Sequence, residues 1–166
     1  MASNRFDIVI VGAGFAGMYM LHKARKLGLS ARVLEAGTGV GGTWYWNRYP
    51  GARVDIESMQ YSYQFDDDLA QEWEWSEKYS PQPQLLKYAN HVAERFDLFK
   101  DIQFNTRVAS AKYDETAAEW TLTAEDGSET IGRFYVMATG CLSVPNRPHI
   151  DCLLYTSDAA DEIVRV

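Results

Sequence analysis

Hydrophobic residues near the start of the chain follow the pattern of a strand, a helix and a second strand. Residues 6–11 (FDIVIV) form an apolar, β-branched run without alternation, which is typical of a strand buried on both faces of a parallel sheet. Residues 15–27 carry apolar side chains at helical spacing, and Gly28 follows where a helix cap belongs. Residues 31–35 (ARVLE) have the character of a second short strand. Together these segments predict a βαβ unit with a right-handed crossover.

The next part of the chain loses its periodicity and then regains it. Residues 36–65 are rich in Gly, Trp, Tyr, Arg and Pro, and the stretch is too long for an ordinary connector, so we expect a functional loop. Residues 85–98 carry an apolar stripe at helical spacing and predict a helix. Residues 102–104 predict another parallel strand.

Beyond residue 107 the hydrophobic pattern changes to a period of two. Residues 108–113, 120–124 and 130–134 alternate, and an Asp-Gly pair at 126–127 supplies a hairpin turn, which predicts an antiparallel insert. Residues 135–138 return to the unalternating character of a buried strand. We therefore expect an α/β fold: a Rossmann-like βαβ domain with a parallel sheet and a small antiparallel β insert.

Length, composition and charge narrow the class of protein. The 166 residues are 46% hydrophobic and 23% charged, as in a globular domain. A formal net charge of -7 argues against binding to nucleic acid or to an anionic membrane, and it favours small molecules or proteins as partners. Two cysteines, Cys141 and Cys152, are too few for a disulfide framework or a four-cysteine zinc site. We expect a soluble, cytoplasmic protein without a metal site.

The turn after the first predicted strand carries the strongest chemical signal. Gly12, Gly14 and Gly17 fit the spacing G-x-G-x-x-G between a strand and a helix, and Glu35 ends the next strand. The first glycine permits a tight turn, the second lets the backbone approach a pyrophosphate, and the third packs the helix against the strand. The helix N-terminus attracts the pyrophosphate, while Glu35 can accept both ribose hydroxyl groups. This pattern predicts a dinucleotide site but does not choose between NAD and FAD.

A second run of residues resembles a known enzyme family. Residues 41–55 (GGTWYWNRYPGARVD) are similar to the loop after the second strand in Baeyer–Villiger monooxygenases of the cyclohexanone and phenylacetone monooxygenase type. The resemblance covers about residues 6–150 and includes residues 138–145 (ATGCLSVP). It implies an enzyme that uses FAD and NADPH to insert one oxygen atom from O2 into a ketone, giving an ester or a lactone.

The same resemblance implies roles for individual residues. Asp55 is the expected catalytic residue, because a carboxylate near the flavin could orient an arginine that stabilises negative charge there. Arg53, Val54 and Asp55 are expected to face the nicotinamide side, and Glu35 the ribose of FAD. Cys141 is expected as a contact residue and not as a nucleophile. The resemblance also implies that the FAD site is lined by Gly42, Thr43, Trp44, Tyr45, Trp46, Asp55, Tyr61, Val108 and Cys141.

Two other functions stay open at this point. One is another two-dinucleotide flavin monooxygenase, of the N-hydroxylating or dimethylaniline type, which would share the βαβ unit. The run at residues 48–55 (RYPGARVD) argues against this type. The other is a non-catalytic nucleotide-binding module, which would bind ADP or NAD as well as FAD.

The resemblance stops after about residue 150. Residues 151–166 look like a translated sequencing adaptor, and a genuine acidic tail is the alternative. We expect residues 1–150 to be the N-terminal part of an FAD-binding domain and residues 151–166 to be a non-native tail. Most of the family's NADPH site would lie beyond residue 150, so we expect the chain alone to be inactive as a monooxygenase.

Overall fold

A computed structural model describes residues 4–143, and within them the chain forms six strands and five α-helices. The strands are β1 (Arg5–Val11), β2 (Ala31–Leu34), β3 (Ile102–Gln103), β4 (Val108–Asp114), β5 (Glu119–Ala124) and β6 (Glu129–Met137). The helices are α1 (Phe15–Lys26), α2 (Thr43–Trp46), α3 (Ser58–Tyr61), α4 (Asp67–Glu72) and α5 (Gln82–Arg95). The expected tail at 151–166 lies outside the described residues.

The six strands form a single mixed sheet in the order β3-β2-β1-β6-β5-β4. β1 runs parallel to β2 and to β6, and β2 runs parallel to β3. β4, β5 and β6 form an antiparallel meander along the chain. The predicted βαβ unit and the predicted parallel strand at residues 102–104 are confirmed.

Strand β6 joins the parallel and antiparallel parts of the sheet. Thr130 pairs with Leu122 of β5, whereas Phe134 pairs with Ile8 of β1. Ile131 and Gly132 pair with both neighbours, so the strand continues without a break. The prediction of two separate strands at 130–134 and 135–138 was therefore wrong. The hydrophobic period changes there because a single strand has different neighbours along its length.

The side chains of β1 are buried on both faces of the sheet, as their lack of alternation predicts. Ile8 and Ile10 pack with α1 and α5 in the larger hydrophobic core. Val9 points the opposite way and packs with Leu34 and Leu122 in a second core. The central strand is thus fixed from both sides, and its carboxyl end holds the glycine-rich turn in place.

The helices agree with the hydrophobic pattern, apart from their ends. α1 ends with Leu27 as its cap, and Gly28 follows with a φ of 72°, as predicted. α5 begins at Gln82 and ends at Arg95, a few residues earlier than the predicted span. The aperiodic segment 36–65 contains the four-residue helices α2 and α3, too short for a period to appear in the sequence. Within residues 4–143, no helix is long and apolar enough to cross a membrane.

Candidate functional site

A cavity of about 460 Å³ opens at the carboxyl ends of the parallel strands. Val11 ends β1, Leu34 ends β2 and Ala138 follows β6, and all three line it. This edge of an open parallel sheet is where α/β proteins bind their ligands. Seven of the residues predicted from the sequence line the cavity: Gly12, Gly14, Glu35, Gly42, Trp46, Val108 and Cys141.

The glycine-rich turn needs its first and third glycines for packing. Gly12 has a φ of 103°, and a Cβ atom there would lie 2.5 Å from the carbonyl oxygen of Ala138. A Cβ atom on Gly17 would lie 1.9 Å from the carbonyl oxygen of Gly12. Any side chain at Gly17 would therefore push α1 away from the turn, which is the close helix–strand packing that the fingerprint predicts.

The turn that precedes α2 packs directly on this first turn. Gly42 has a φ of 55°, and a Cβ atom there would lie 2.8 Å from the Cα atom of Gly14. The amide of Gly41 also donates a hydrogen bond to the carbonyl of Ala13, at 3.0 Å. The sequence predicts that glycines 41 and 42 let the backbone approach a flat ring. The structure adds a second reason for them, since two stretches of backbone touch here beside the cavity.

The N-terminus of α1 is suited to an anion. Its N-cap residue is Gly14, and within the described part of the chain no side chain caps the helix. The first turn contains no acidic residue, while Lys23, Arg25 and Lys26 lie in the last turn. Backbone N–H groups at such an end, together with the helix dipole, bind phosphate groups. Gly12 and Gly14 bring this end of α1 to the wall of the cavity.

Glu35 connects three turns around the cavity. Its side chain is buried, and its Oε2 accepts a 2.6 Å hydrogen bond from the amide of Ala13. Oε1 accepts a 2.7 Å hydrogen bond from the amide of Gly37, and the main-chain carbonyl accepts one from Thr106 at 2.8 Å. Each carboxylate oxygen retains capacity for a second hydrogen bond. The carboxylate can thus hold the apposed turns and still accept hydroxyl donors from a ligand.

The cavity lining also contains residues that were not predicted as site residues. Thr106 and Arg107 precede the predicted Val108, and Thr139, Gly140 and Ser143 flank the exposed Cys141. The carboxyl end of β3 carries the chain to Thr106 and Arg107. The prediction of a parallel strand at 102–104 could have located them, because the ends of parallel strands meet at one edge.

The aromatic residues after Gly42 lie in different surroundings. Trp46 lines the cavity, whereas Trp44 is buried and its Nε1 donates a 2.9 Å hydrogen bond to the hydroxyl of Tyr61. The hydroxyl groups of Tyr45 and Thr38 lie 2.7 Å apart, and the hydrogen bonds with Thr38 lower the pKa of Tyr45. Thr43, Trp44, Tyr45 and Tyr61 are not among the described residues that line this cavity, and their expected contact with FAD stays a prediction.

Arg53, Val54 and Asp55 are also separate from the cavity lining. Arg53 Nη1 lies 2.5 Å from Glu77 Oε2 and donates a 2.6 Å hydrogen bond to the carbonyl of Tyr79. Val54 is buried, and Asp55 is exposed in a bend. The expected role of these residues towards a nicotinamide and a flavin stays a prediction.

A larger cavity of about 680 Å³ lies among α3, α4 and α5. Trp73, Trp75 and Tyr88 contribute to its walls. The described residues that line it include none of those predicted for the site. The smaller cavity at the sheet edge is therefore the candidate site, because the glycine turns, the helix end and the buried carboxylate meet there.

Comparison with known proteins gives one consistent set of matches. Residues 10–72 match the NAD(P)-binding Rossmann-like domain family. The chain is 47% identical over 152 residues to phenazine N-monooxygenase PhzNO1 of Lysobacter antibioticus, covering 89% of the chain and 28% of that enzyme. It is 46% identical over 146 residues to cyclohexanone 1,2-monooxygenase of Acinetobacter sp., covering 87% of the chain and 27% of that enzyme.

Solved structures agree with these matches. An oxidised steroid monooxygenase bound to NADP is 55% identical with a TM-score of 0.85, over 89% of this chain and 28% of that one. OTEMO in complex with FAD and NADP is 42% identical with a TM-score of 0.83, over 89% of this chain and 28% of that one. The chain thus spans a little over a quarter of the length of these relatives. Over that span, the chain is homologous to the N-terminal part of the Baeyer–Villiger monooxygenases.

Proposed function

We propose that this chain is the FAD-binding part of a flavin-dependent, NADPH-consuming monooxygenase that inserts one oxygen atom from O2 into a ketone, giving an ester or a lactone. The observation that carries the proposal is the meeting of Gly12, Gly14 and Glu35 at one cavity beside the uncapped end of α1. The similarity to cyclohexanone 1,2-monooxygenase, and to OTEMO in complex with FAD and NADP, supports it.

The chain's own residues fit FAD by their geometry. A Cβ atom does not fit at Gly12, and one at Gly14 would lie 3.4 Å from the Cα atom of Gly42. Because neither residue carries a side chain, a pyrophosphate could approach the backbone N–H groups of α1 closely. Glu35 would accept the ribose hydroxyl groups with the hydrogen-bonding capacity that Ala13 and Gly37 leave free. Val108, Trp46 and Cys141 would form the remaining walls. When bound, FAD supplies the electron transfer and the reaction with O2 that side chains cannot perform.

The extent and location of this part are proposals as well. We propose that residues 1–150 belong to the FAD-binding domain and that residues 151–166 are a non-native tail. The matches, which extend over 144 to 152 residues, support the first boundary. A cytoplasmic location is supported by the low cysteine content. We assign no binding to nucleic acid or membranes, in keeping with the net charge of -7.

Oxygenation of a nitrogen atom is a second candidate reaction. The chain is 47% identical to phenazine N-monooxygenase and 46% identical to cyclohexanone 1,2-monooxygenase. Overall identity therefore does not decide between a ketone and the nitrogen atom of a phenazine as substrate, although the sequence pattern at residues 48–55 favours the ketone. A non-catalytic nucleotide-binding module is the third hypothesis. Such a module would bind ADP or NAD as well as FAD.

A ligand series tests the proposed cofactor. The purified chain is titrated with FAD, FMN, ADP and NAD, and flavin fluorescence or heat is measured. We expect FAD to bind more tightly than FMN, because FMN lacks the adenosine and the second phosphate that the cavity is built to hold. Equal affinities for FAD, ADP and NAD would favour the non-catalytic module. Equal affinities for FAD and FMN would contradict the assignment of the cavity.

A further inference from the structure

An aromatic cluster packs against the first residue of α1. The ring of Phe15, which lies between the second and third glycines of the fingerprint, contacts three tyrosines. Its ring centroid is 5.4 Å from that of Tyr61, 5.3 Å from that of Tyr63 and 6.0 Å from that of Tyr88. This cluster borders the N-terminal turn of the helix that faces the candidate site.

Two hydrogen bonds run through this cluster from α5 to α1. The hydroxyl of Tyr63 donates a 2.5 Å hydrogen bond to the carbonyl oxygen of Phe15. The main-chain N–H of Tyr63 in turn donates a 2.9 Å hydrogen bond to the hydroxyl of Tyr88 on α5. Tyr88 is fully buried, so α5 provides a fixed anchor for the pair.

The hydroxyl of Tyr63 remains a donor over the whole physiological range. Burial, followed by the neighbouring Tyr88 and Tyr61, raises the pKa of Tyr63 well above the ordinary value of 10.0. The group is therefore protonated and able to donate to Phe15. A hydroxyl buried in an aromatic cluster would be costly without a partner, and the Phe15 carbonyl is that partner.

The place of this hydrogen bond gives it a functional meaning. No side chain among the described residues caps α1, so tertiary contacts must set the position of its first turn. Phe15 belongs to that turn, and a shift of its carbonyl would also move the adjacent N–H groups. We propose that Tyr63 is a positioning residue of the dinucleotide site, which fixes the N-terminal turn of α1 for a pyrophosphate. This inference rests on the proposed function.

The test compares ligands with and without a pyrophosphate. The variant Tyr63→Phe keeps the ring and removes the hydroxyl, and its affinities for FAD, ADP and adenosine are measured by calorimetry or NMR titration. We expect affinities for FAD and ADP to fall about 3-fold to 10-fold, in line with the loss of one hydrogen bond. The affinity for adenosine, which has no phosphate, should not change.

A matched control is available on α1, the helix whose first residue accepts the Tyr63 hydrogen bond. Tyr19 stacks on Tyr63 with ring centroids 6.3 Å apart, but it is partly exposed, so Tyr19→Phe should leave all three affinities unchanged. Tyr88→Phe removes the anchor and should weaken FAD and ADP in the same direction as Tyr63→Phe. It provides the measurement if Tyr63→Phe does not fold, as judged by circular dichroism.

The outcomes separate this inference from the function on which it rests. Unchanged affinity of a folded Tyr63→Phe variant for FAD and ADP would overturn the inference. An equal loss of affinity for adenosine would also overturn it, because it would indicate a purely structural role for Tyr63. If the unmodified chain binds neither FAD nor ADP, the proposed function itself fails and the inference with it. A selective loss for the two pyrophosphate ligands supports both.

Discussion

Glu35 is the residue on which the candidate site depends most. Its carboxylate joins the turns at Ala13 and Gly37, so replacing it with Ala removes two buried acceptors as well as a ligand contact. We expect Glu35→Ala to weaken FAD binding by about 1–3 kcal/mol and to lower the free energy of unfolding by about 1–3 kcal/mol for each donor left unpaired. Flavin fluorescence titration and urea unfolding measure the two effects. The exposed Glu94→Ala on α5 is the control, and unchanged FAD affinity in Glu35→Ala would remove Glu35 from the site.

Gly17 gives a sharper test of the packing around the glycine-rich turn. A Cβ atom there would meet the carbonyl oxygen of Gly12 at 1.9 Å, and a backbone atom cannot yield as a side chain can. We predict that Gly17→Ala lowers the free energy of unfolding by about 3 kcal/mol or more. Gly28→Ala is the comparison, because no atom lies within 4 Å of its Cβ position and only the positive φ is strained, at about 1–2 kcal/mol. A cost no larger for Gly17 than for Gly28 in urea unfolding would contradict the packing.

The attachment of helix α1 to the rest of the fold should depend on pH. His22 on α1 is buried between Phe65 and Phe96, and its Nε2 has no hydrogen-bond partner among residues 4–143. Burial, with smaller effects of Lys26, Lys23 and Arg25, lowers the pKa of His22 below 6.5, while Asp66 opposes this shift.

The unfolded chain therefore binds a proton at His22 more readily than the folded chain does. The stability that depends on neutral His22 is complete above pH 6.5 and is lost as the pH falls through the lowered pKa. We predict that the Tm of the unmodified chain falls more between pH 8 and pH 5 than the Tm of His22→Leu. Identical pH dependence of the two proteins in thermal melts would show that His22 does not titrate in this way.

The elements also show what a sequence can and cannot predict. The βαβ unit could be predicted because FDIVIV, the glycine spacing and Glu35 are local signals. Thr106 and Arg107 could have been placed at this edge from the predicted strand at 102–104, but their contact with the cavity depends on the position of β3 in the sheet. Strand β6 appeared as two strands because its neighbours change from β5 to β1 along its length. The contact between Gly14 and Gly42 depends on tertiary packing, which no short-range pattern encodes.

The chain as a whole should bind the cofactor without catalysing the reaction. It spans about 28% of the length of its relatives. The resemblance to the family implies that most of the NADPH site lies beyond residue 150. We predict that the chain, incubated with FAD, NADPH and cyclic, linear or aryl ketones under air, consumes no NADPH in a ketone-dependent manner. Ester or lactone formation detected by gas chromatography would overturn this expectation and would require a nicotinamide site within the chain.

A crystal structure of the chain with FAD would show directly whether the cofactor lies in the cavity at the sheet edge. We predict electron density for FAD in the cavity at the carboxyl ends of β1, β2 and β6. The pyrophosphate should lie within hydrogen-bond distance of the N-terminal N–H groups of α1, and the ribose hydroxyl groups should contact Glu35. FAD bound among Trp73, Trp75 and Tyr88 in the larger cavity, with the glycine-rich turn empty, would show that the sheet-edge cavity is not the cofactor site.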